Sequence, residues 1–359
     1  MKIGVRGGTG AGWPGRRRAA GLMLPAVALA VTLGAGTAHA ANPGISWHKL
    51  TGLNGWHAGS AMTGGPEYAV SGGVVYLSGS VTSKGTNPLV AVLPRAARPG
   101  QVLYLTVYTR AGRPGTLRID PGGNILAAGG TAAFAFTSLA GVSFPATSMG
   151  TLPISLRNGW ASAQAQFSTG DPGYSVSHGI AYLSGSLHQP AGTASEFAVL
   201  PAAVRPASDL SSLTCTMSSG PGTVSFERDD GVISAYRGRH RKFTSLAGLS
   251  YPLTRGREFR LMNGWHSAIM SQPATYQVRR GVVYLTGAID AIKGSASLFA
   301  MLPPGARPKH DLYFTASTRA FTAGTVKISP AGAIYAYSQV PSHARNYTSL
   351  TGISYPLGS

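Results

Sequence analysis

Tryptophan and arginine return in this chain at intervals that a repeat would set, and both side chains could hold a ligand. Trp56, Trp160 and Trp265 each close an Asn-Gly-Trp word. An indole is a flat apolar plate that a sugar ring can stack on; it is equally a large anchor for the space between two sheets. Arg98, Arg205 and Arg307 each stand before a proline, five residues after the leucine of a Leu-Pro pair. A guanidinium suits a phosphate or carboxylate, and it can also tie a loop down by donating to backbone carbonyls. The densest basic run is Arg237-Gly238-Arg239-His240-Arg241-Lys242, with Arg255, Arg257 and Arg260 downstream. Such a run is a candidate polyanion face or a solvated loop. The candidate binding residues are therefore Trp56, Trp160, Trp265, Arg98, Arg205, Arg307, Arg237, Arg239, Arg241 and Lys242.

Catalytic chemistry finds fewer footholds. The 11 carboxylates are thinly spread, and none returns in every copy of the repeat. Asp120, Asp229 and Asp230 fall at a hairpin turn, where Asp is a common turn former, and the last copy has Ser329-Pro330-Ala331 there. His57 and His266 follow their tryptophans, but Ala161 takes that place in the middle copy. Cys215 is the sole cysteine, so the chain can form no internal disulfide, and its apolar surroundings read as a small buried hydrophobe. The spacing of Cys and His suggests no metal site, no serine stands in a nucleophile elbow, and no Gly-rich loop opens a helix. The expectation is a protein that is not an enzyme and takes no metal or cofactor.

What positions these residues is a repeat. The Asn-Gly-Trp words are offset by 104 and 105 residues, and Tyr76-Leu77-Ser78-Gly79-Ser80 returns as Tyr182 to Ser186 and as Tyr284 to Ala288. A period of that length is a whole small domain, too long for a solenoid unit. The expected domains are 41–148, 149–254 and 255–359, joined through Ala146–Arg157 and Leu253–Arg260. Within each copy, β-formers alternate around Gly-containing turns, as in Tyr68-Ala69-Val70, Ser71-Gly72-Gly73, Val74-Val75-Tyr76. Leu93-Pro94, Leu200-Pro201 and Leu302-Pro303 stop a second strand, since proline cannot continue an internal ladder. A further hairpin follows at Thr116–Ile119 and Asn124 onward, and Phe136 to Pro145 closes the copy, returning as Phe243 to Pro252 and Tyr347 to Pro356. Many short strands, turns about ten residues apart and no long helical period predict an all-β fold of three tandem β-sandwich, jelly-roll-like domains.

Residues 1–40 read as a signal peptide. Arg16-Arg17-Arg18 is a positive n-region, Gly21 to Leu33 a short apolar run, and Ala38-His39-Ala40 a small-residue cleavage site after Ala40. The run is short and holds Pro25, so no stable membrane anchor is expected. Without the leader's Lys2, Arg6, Arg16, Arg17 and Arg18, 25 basic residues face 11 acidic ones, a surplus of 14. That balance attracts anionic polymers, yet charged residues are only 11% of the chain, which argues against a dedicated nucleic-acid binder.

In order, the words are Asn-Gly-Trp, a Tyr before the first turn, Gly-x-Val/Ala-x-Leu-x-Gly, Leu-Pro-x-x-x-Arg-Pro, the second hairpin, and Ser-Leu-x-Gly-x-Ser-Phe/Tyr. This series resembles the C-terminal receptor-binding head domain of bacteriophage tail fibre and baseplate proteins, and the likeness covers nearly all of each copy. The resemblance implies a β-sandwich that binds a host surface. Phage heads occur once per chain behind a stalk and assemble as homotrimers, whereas here three copies stand in tandem behind an export signal. One chain could then form an intramolecular pseudo-trimer, linkage raising the copies' effective concentration for one another. The expected function is a secreted, extracellular, multivalent adhesion protein for a cell-wall or extracellular glycan of anionic character. Its ligand loops would be the variable Val81–Asn87, Leu187–Ser195 and Ile289–Ser297. The alternatives are an extracellular structural or assembly protein and, further off, a glycan-active enzyme.

Overall fold

Alternation of β-formers around a two-residue turn makes the first hairpin of each third: Glu67–Ser71 with Val74–Ser78, Gly173–Ser177 with Ile180–Ser184, and Thr275–Arg279 with Val282–Thr286. The computed structural model describes residues 45–268, 272–292 and 296–359. The expected leader and its cleavage site after Ala40 lie outside the described residues, as do 293–295 of the third variable loop. The fold is all-β, and the α-helices among the described residues are the short Gly130–Ala135, Gln164–Phe167 and Pro341–Asn346. No helix of the described residues is long and apolar enough to cross a membrane.

The first third builds a four-stranded sheet in the order His48–Lys49, Glu67–Ser71, Val74–Ser78, Ser143–Pro145. A second four-stranded sheet runs Leu89–Val92, Asn124–Ala128, Pro114–Ile119, Leu103–Tyr108, and a three-stranded one joins Thr137–Ser138, Ser80–Thr82 and His57–Ala58. The middle third repeats all three sheets. In the last third the two outer sheets merge into one of seven strands, through Thr318 pairing with Thr348. The same place in the other thirds holds single bridges, Thr109 with Thr137 and Thr216 with Thr244. Each third has its own core, filled from its two larger sheets: Val75, Leu77 and Phe144 meet Leu105, Leu117 and Ile125 in the first. The middle and last thirds repeat this around Phe197 and Phe299.

Two stretches expected to be plain connections take part in the sheets. Leu152–Pro153 pairs with Gly173 and Tyr174, and Arg257–Glu258 pairs with Thr275 and Tyr276. These two-residue edge strands are exposed, so they need backbone pairing alone and show no apolar alternation.

The thirds meet along a common axis. Val74, Ile180 and Val282 pack together with Tyr76, Tyr182 and Tyr284 in a separate buried cluster. The Tyr182 hydroxyl lies 3.3 Å from that of Tyr76 and 3.0 Å from that of Tyr284. Burial pushes all three phenols above their ordinary pKa, which keeps them neutral and paired. Further along, Gly141, Gly248 and Gly352 of the closing words have φ of 80°, 80° and 84°. A Cβ there would lie 2.8 Å from Phe314, 2.6 Å from Leu105 and 2.5 Å from Ser212 respectively. Each glycine thus abuts a strand of another third, in cyclic order, and its recurrence is explained by packing between thirds. The described residues form one compact unit.

Candidate functional site

The residues that the repeat singles out mostly serve shape. Trp56, Trp160 and Trp265 are 3%, 5% and 5% exposed. Their indole N–H groups donate to the carbonyls of Asn87, Ala194 and Ala296 at 2.8, 3.0 and 2.7 Å, at the base of each variable loop. No broad ring face is left open for a sugar. The preceding Asn54, Asn158 and Asn263 sit at φ of 53°, 56° and 56°, a conformation Asn tolerates. Their amides donate to the carbonyls of Leu89, Glu196 and Leu298. Asn-Gly-Trp is thus a clamp on the second sheet. Arg98, Arg205 and Arg307 donate through Nε to the carbonyls of Leu93, Leu200 and Leu302, at 3.0, 3.3 and 3.1 Å. They fasten the Leu-Pro turn, and a ligand would have to compete with that bond.

The basic run lies on the surface, with Arg237, Arg239, Arg241 and Lys242 exposed. It occupies a turn where the other thirds have the helices Gly130–Ala135 and Pro341–Asn346. The Arg241 guanidinium donates to the carbonyl of Thr193 at 2.5 Å, fastening the turn to the variable loop. His240 stacks loosely on Trp160, ring centroids 6.1 Å apart. Burial, opposed by the carbonyl of Arg237 and aided by the nearby Arg241 charge, lowers the His240 pKa.

Open clefts lie instead at the junctions between thirds. Between the first and the last, a cleft of about 320 Å³ is walled by Ser60, Tyr108, Arg110, Phe136 and Tyr313. Tyr108 and Tyr313 are 5.2 Å apart by ring centroid, and Phe136 stands edge-on to both at 5.9 and 6.2 Å. Between the middle and last thirds, about 530 Å³ is walled by Ser211, Tyr236, Asp290, Arg319, Phe321 and Tyr347. Tyr236 and Phe321 stack at 5.2 Å with planes 8° apart. The Asp290 carboxylate pairs with His266 at this cleft's edge.

Repeat position relates these two clefts. Arg110 and Arg319 follow Thr109 and Thr318, and their backbone N–H groups donate to the carbonyls of Phe136 and Tyr347. Each arginine opens a tight turn carried by an alanine at positive φ, Ala111 at 60° and Ala320 at 58°. Non-glycine residues enter that region at a cost of about 1–2 kcal/mol, so the surrounding bonds must hold the turn. Both arginines are exposed, and neither has an ion-pair partner among the described residues.

The third junction differs. Met217 stands where the other copies have arginine, and Phe167 packs 4.4 Å from Phe243 with Tyr104 edge-on to both rings at 6.4 and 5.3 Å. At this junction three rings pack on one another at the matching place, and a smaller pocket of about 200 Å³ lies beside them between Leu103, Phe144, Leu183 and Gly248. These arginines stand in two copies and are missing from the third, so full recurrence does not mark them. The signal was Thr-Arg-Ala, present at Thr109 and Thr318 and replaced by Thr216-Met217-Ser218.

Cys215 is buried at the junction of the first and middle thirds, its sulfur 3.4 Å from the Thr116 hydroxyl. Burial pushes its thiol up to about 11, which leaves it protonated and unreactive at neutral pH. Among the described residues no three His, Cys, Asp or Glu side chains gather as a metal site would need. No family model, no curated protein and no solved structure matches this chain.

Proposed function

We propose that this protein is a secreted, non-enzymatic binding protein that attaches to an anionic cell-wall or extracellular glycan at more than one point. The observation that carries the reading is the pair of junction clefts, each presenting an arginine beside aromatic rings at the same repeat position. Aromatic faces and a cation together suit a sugar bearing a carboxylate or phosphate. The surplus of basic residues over the expected mature chain acts in the same direction, by steering anionic polymer toward the surface. Two weak sites on one chain give avidity that neither has alone. The expected likeness to phage receptor-binding heads agrees with a surface-binding role.

The test exploits the middle third, which carries methionine at the arginine position without harm to the fold. Replacing both arginines, as R110M/R319M, is expected to weaken binding to acidic cell-wall polysaccharide about tenfold or more, since bonds to charged groups contribute about 1.5–3 kcal/mol each. Retention on purified walls, read as the salt concentration that elutes the protein, checks it. Unchanged elution with an unchanged melting temperature refutes the reading.

A further inference from the structure

The outer face of the last third carries a row of side chains that the other thirds lack. Tyr313, Lys327 and Tyr335 stand directly opposite one another on three adjacent strands. Strand spacing makes this row about 10 Å long. On Leu312–Thr318 and Ala333–Tyr337 the neighbours Leu312, Phe314, Ile334 and Ala336 point inward and are buried, so the tyrosines face out. Tyr337 continues the row two residues on, its ring parallel to that of Tyr335 (centroids 6.0 Å apart, planes at 9°) and 40% exposed. The Lys327 ammonium lies 5.4 Å over the Tyr313 ring and 2.9 Å from the Asp311 carboxylate. Tyr313 also walls the first–last cleft that holds Arg110. The same row is Tyr104, Arg118, Leu126 in the first third and Ser211, Ser225, Ser234 in the middle one.

We propose that this row is a platform for an extended glycan chain, running out of the first–last cleft across Tyr313 and Lys327 to Tyr335 and Tyr337. The inference rests on the cleft reading above and adds to it that the ligand is an internal stretch of polymer, several sugars long. Parallel rings of this spacing offer successive stacking faces to consecutive pyranoses, and the partly exposed Lys327 supplies a donor for hydroxyls. Single-stranded nucleic acid also stacks on aromatic rings, but it needs a positively charged groove. Here Asp311 neutralises the one lysine of the row, so a phosphate backbone gains little.

The probe is hyaluronan, a regular alternation of a uronic acid and a neutral amino sugar, measured by calorimetry on the full protein as a tetrasaccharide and as a decasaccharide. The decasaccharide is expected to bind about tenfold tighter, in line with two added ring contacts. The variant Y335S/Y337A installs the residues found at Ser234 and Ala128, so the fold has precedent for both; it is expected to abolish that gain. Equal affinity for both lengths, or a gain that survives Y335S/Y337A, overturns the platform while binding that R110M weakens keeps the cleft. Binding of neither length overturns both. Tighter binding of an oligothymidylate of matched length, lost in Y335S/Y337A, replaces the glycan with nucleic acid. A variant that changes self-association in ultracentrifugation instead assigns the face to a second copy of the chain.

Discussion

His240 shows how a single side chain couples the basic turn to the core beneath it. The imidazole is half-buried against Trp160, and desolvation together with the Arg241 charge lowers its pKa, outweighing the carbonyl of Arg237. A depressed folded-state pKa means that the folded chain binds protons less readily than the unfolded one. The associated stability is present above the unfolded value of about 6.5 and is lost as pH falls through the lowered folded value. His240→Phe is expected to flatten the pH dependence of the melting temperature in that acidic window. The first third supports the substitution in kind, with Phe134 stacked on Trp56 at 5.3 Å. If wild type and H240F lose stability in parallel from neutral to pH 5, the proton in question sits elsewhere.

At the scale of elements, the closing word of each third is explained by what it touches in another. Gly248 has both a positive φ and the Leu105 side chain where its Cβ would go. Gly248→Ala therefore combines backbone strain with overpacking between two strands, at about 1–3 kcal/mol. Urea unfolding of the variant should show a lower midpoint at unchanged slope. A neutral result would mean that the thirds are held together elsewhere. The short helices follow similar logic. Gly130–Ala135 and Pro341–Asn346 are helices of fewer than two turns leading into the closing word, too brief to leave a helical period, and a basic turn takes their place in the middle third.

For the whole molecule the question is cooperativity. The three cores are separate, yet the axial cluster and the tyrosine triad draw on all three thirds, and the closing glycines interlock cyclically. Removing one third would expose Ile180 and Tyr182, or their counterparts, to water. Scanning calorimetry is expected to give one transition, with the calorimetric and van't Hoff enthalpies of residues 41–359 in agreement. Three resolved transitions would describe beads that merely touch.

The amino-acid sequence by itself determined the strand-rich fold, the period and two hairpins of each third, because alternation and turn residues act locally; the hairpin of Leu103–Tyr108 with Pro114–Ile119 and its counterparts came from the structure. It left Trp160 and Arg205 open between a ligand and the fold, and the structure gives both a carbonyl partner within their own copy. The junction clefts were decided by tertiary structure. Whether Arg110 faces an opening depends on Tyr313, about two hundred residues away. What stands at the matching place of the first–middle junction depends on Phe167 meeting Phe243 and Tyr104. The row of Tyr313, Lys327 and Tyr335 becomes visible only once register sets three strands side by side. Contacts made across a shared axis leave no period in any single copy, and a departure from the repeat looks like drift until its neighbours are in place.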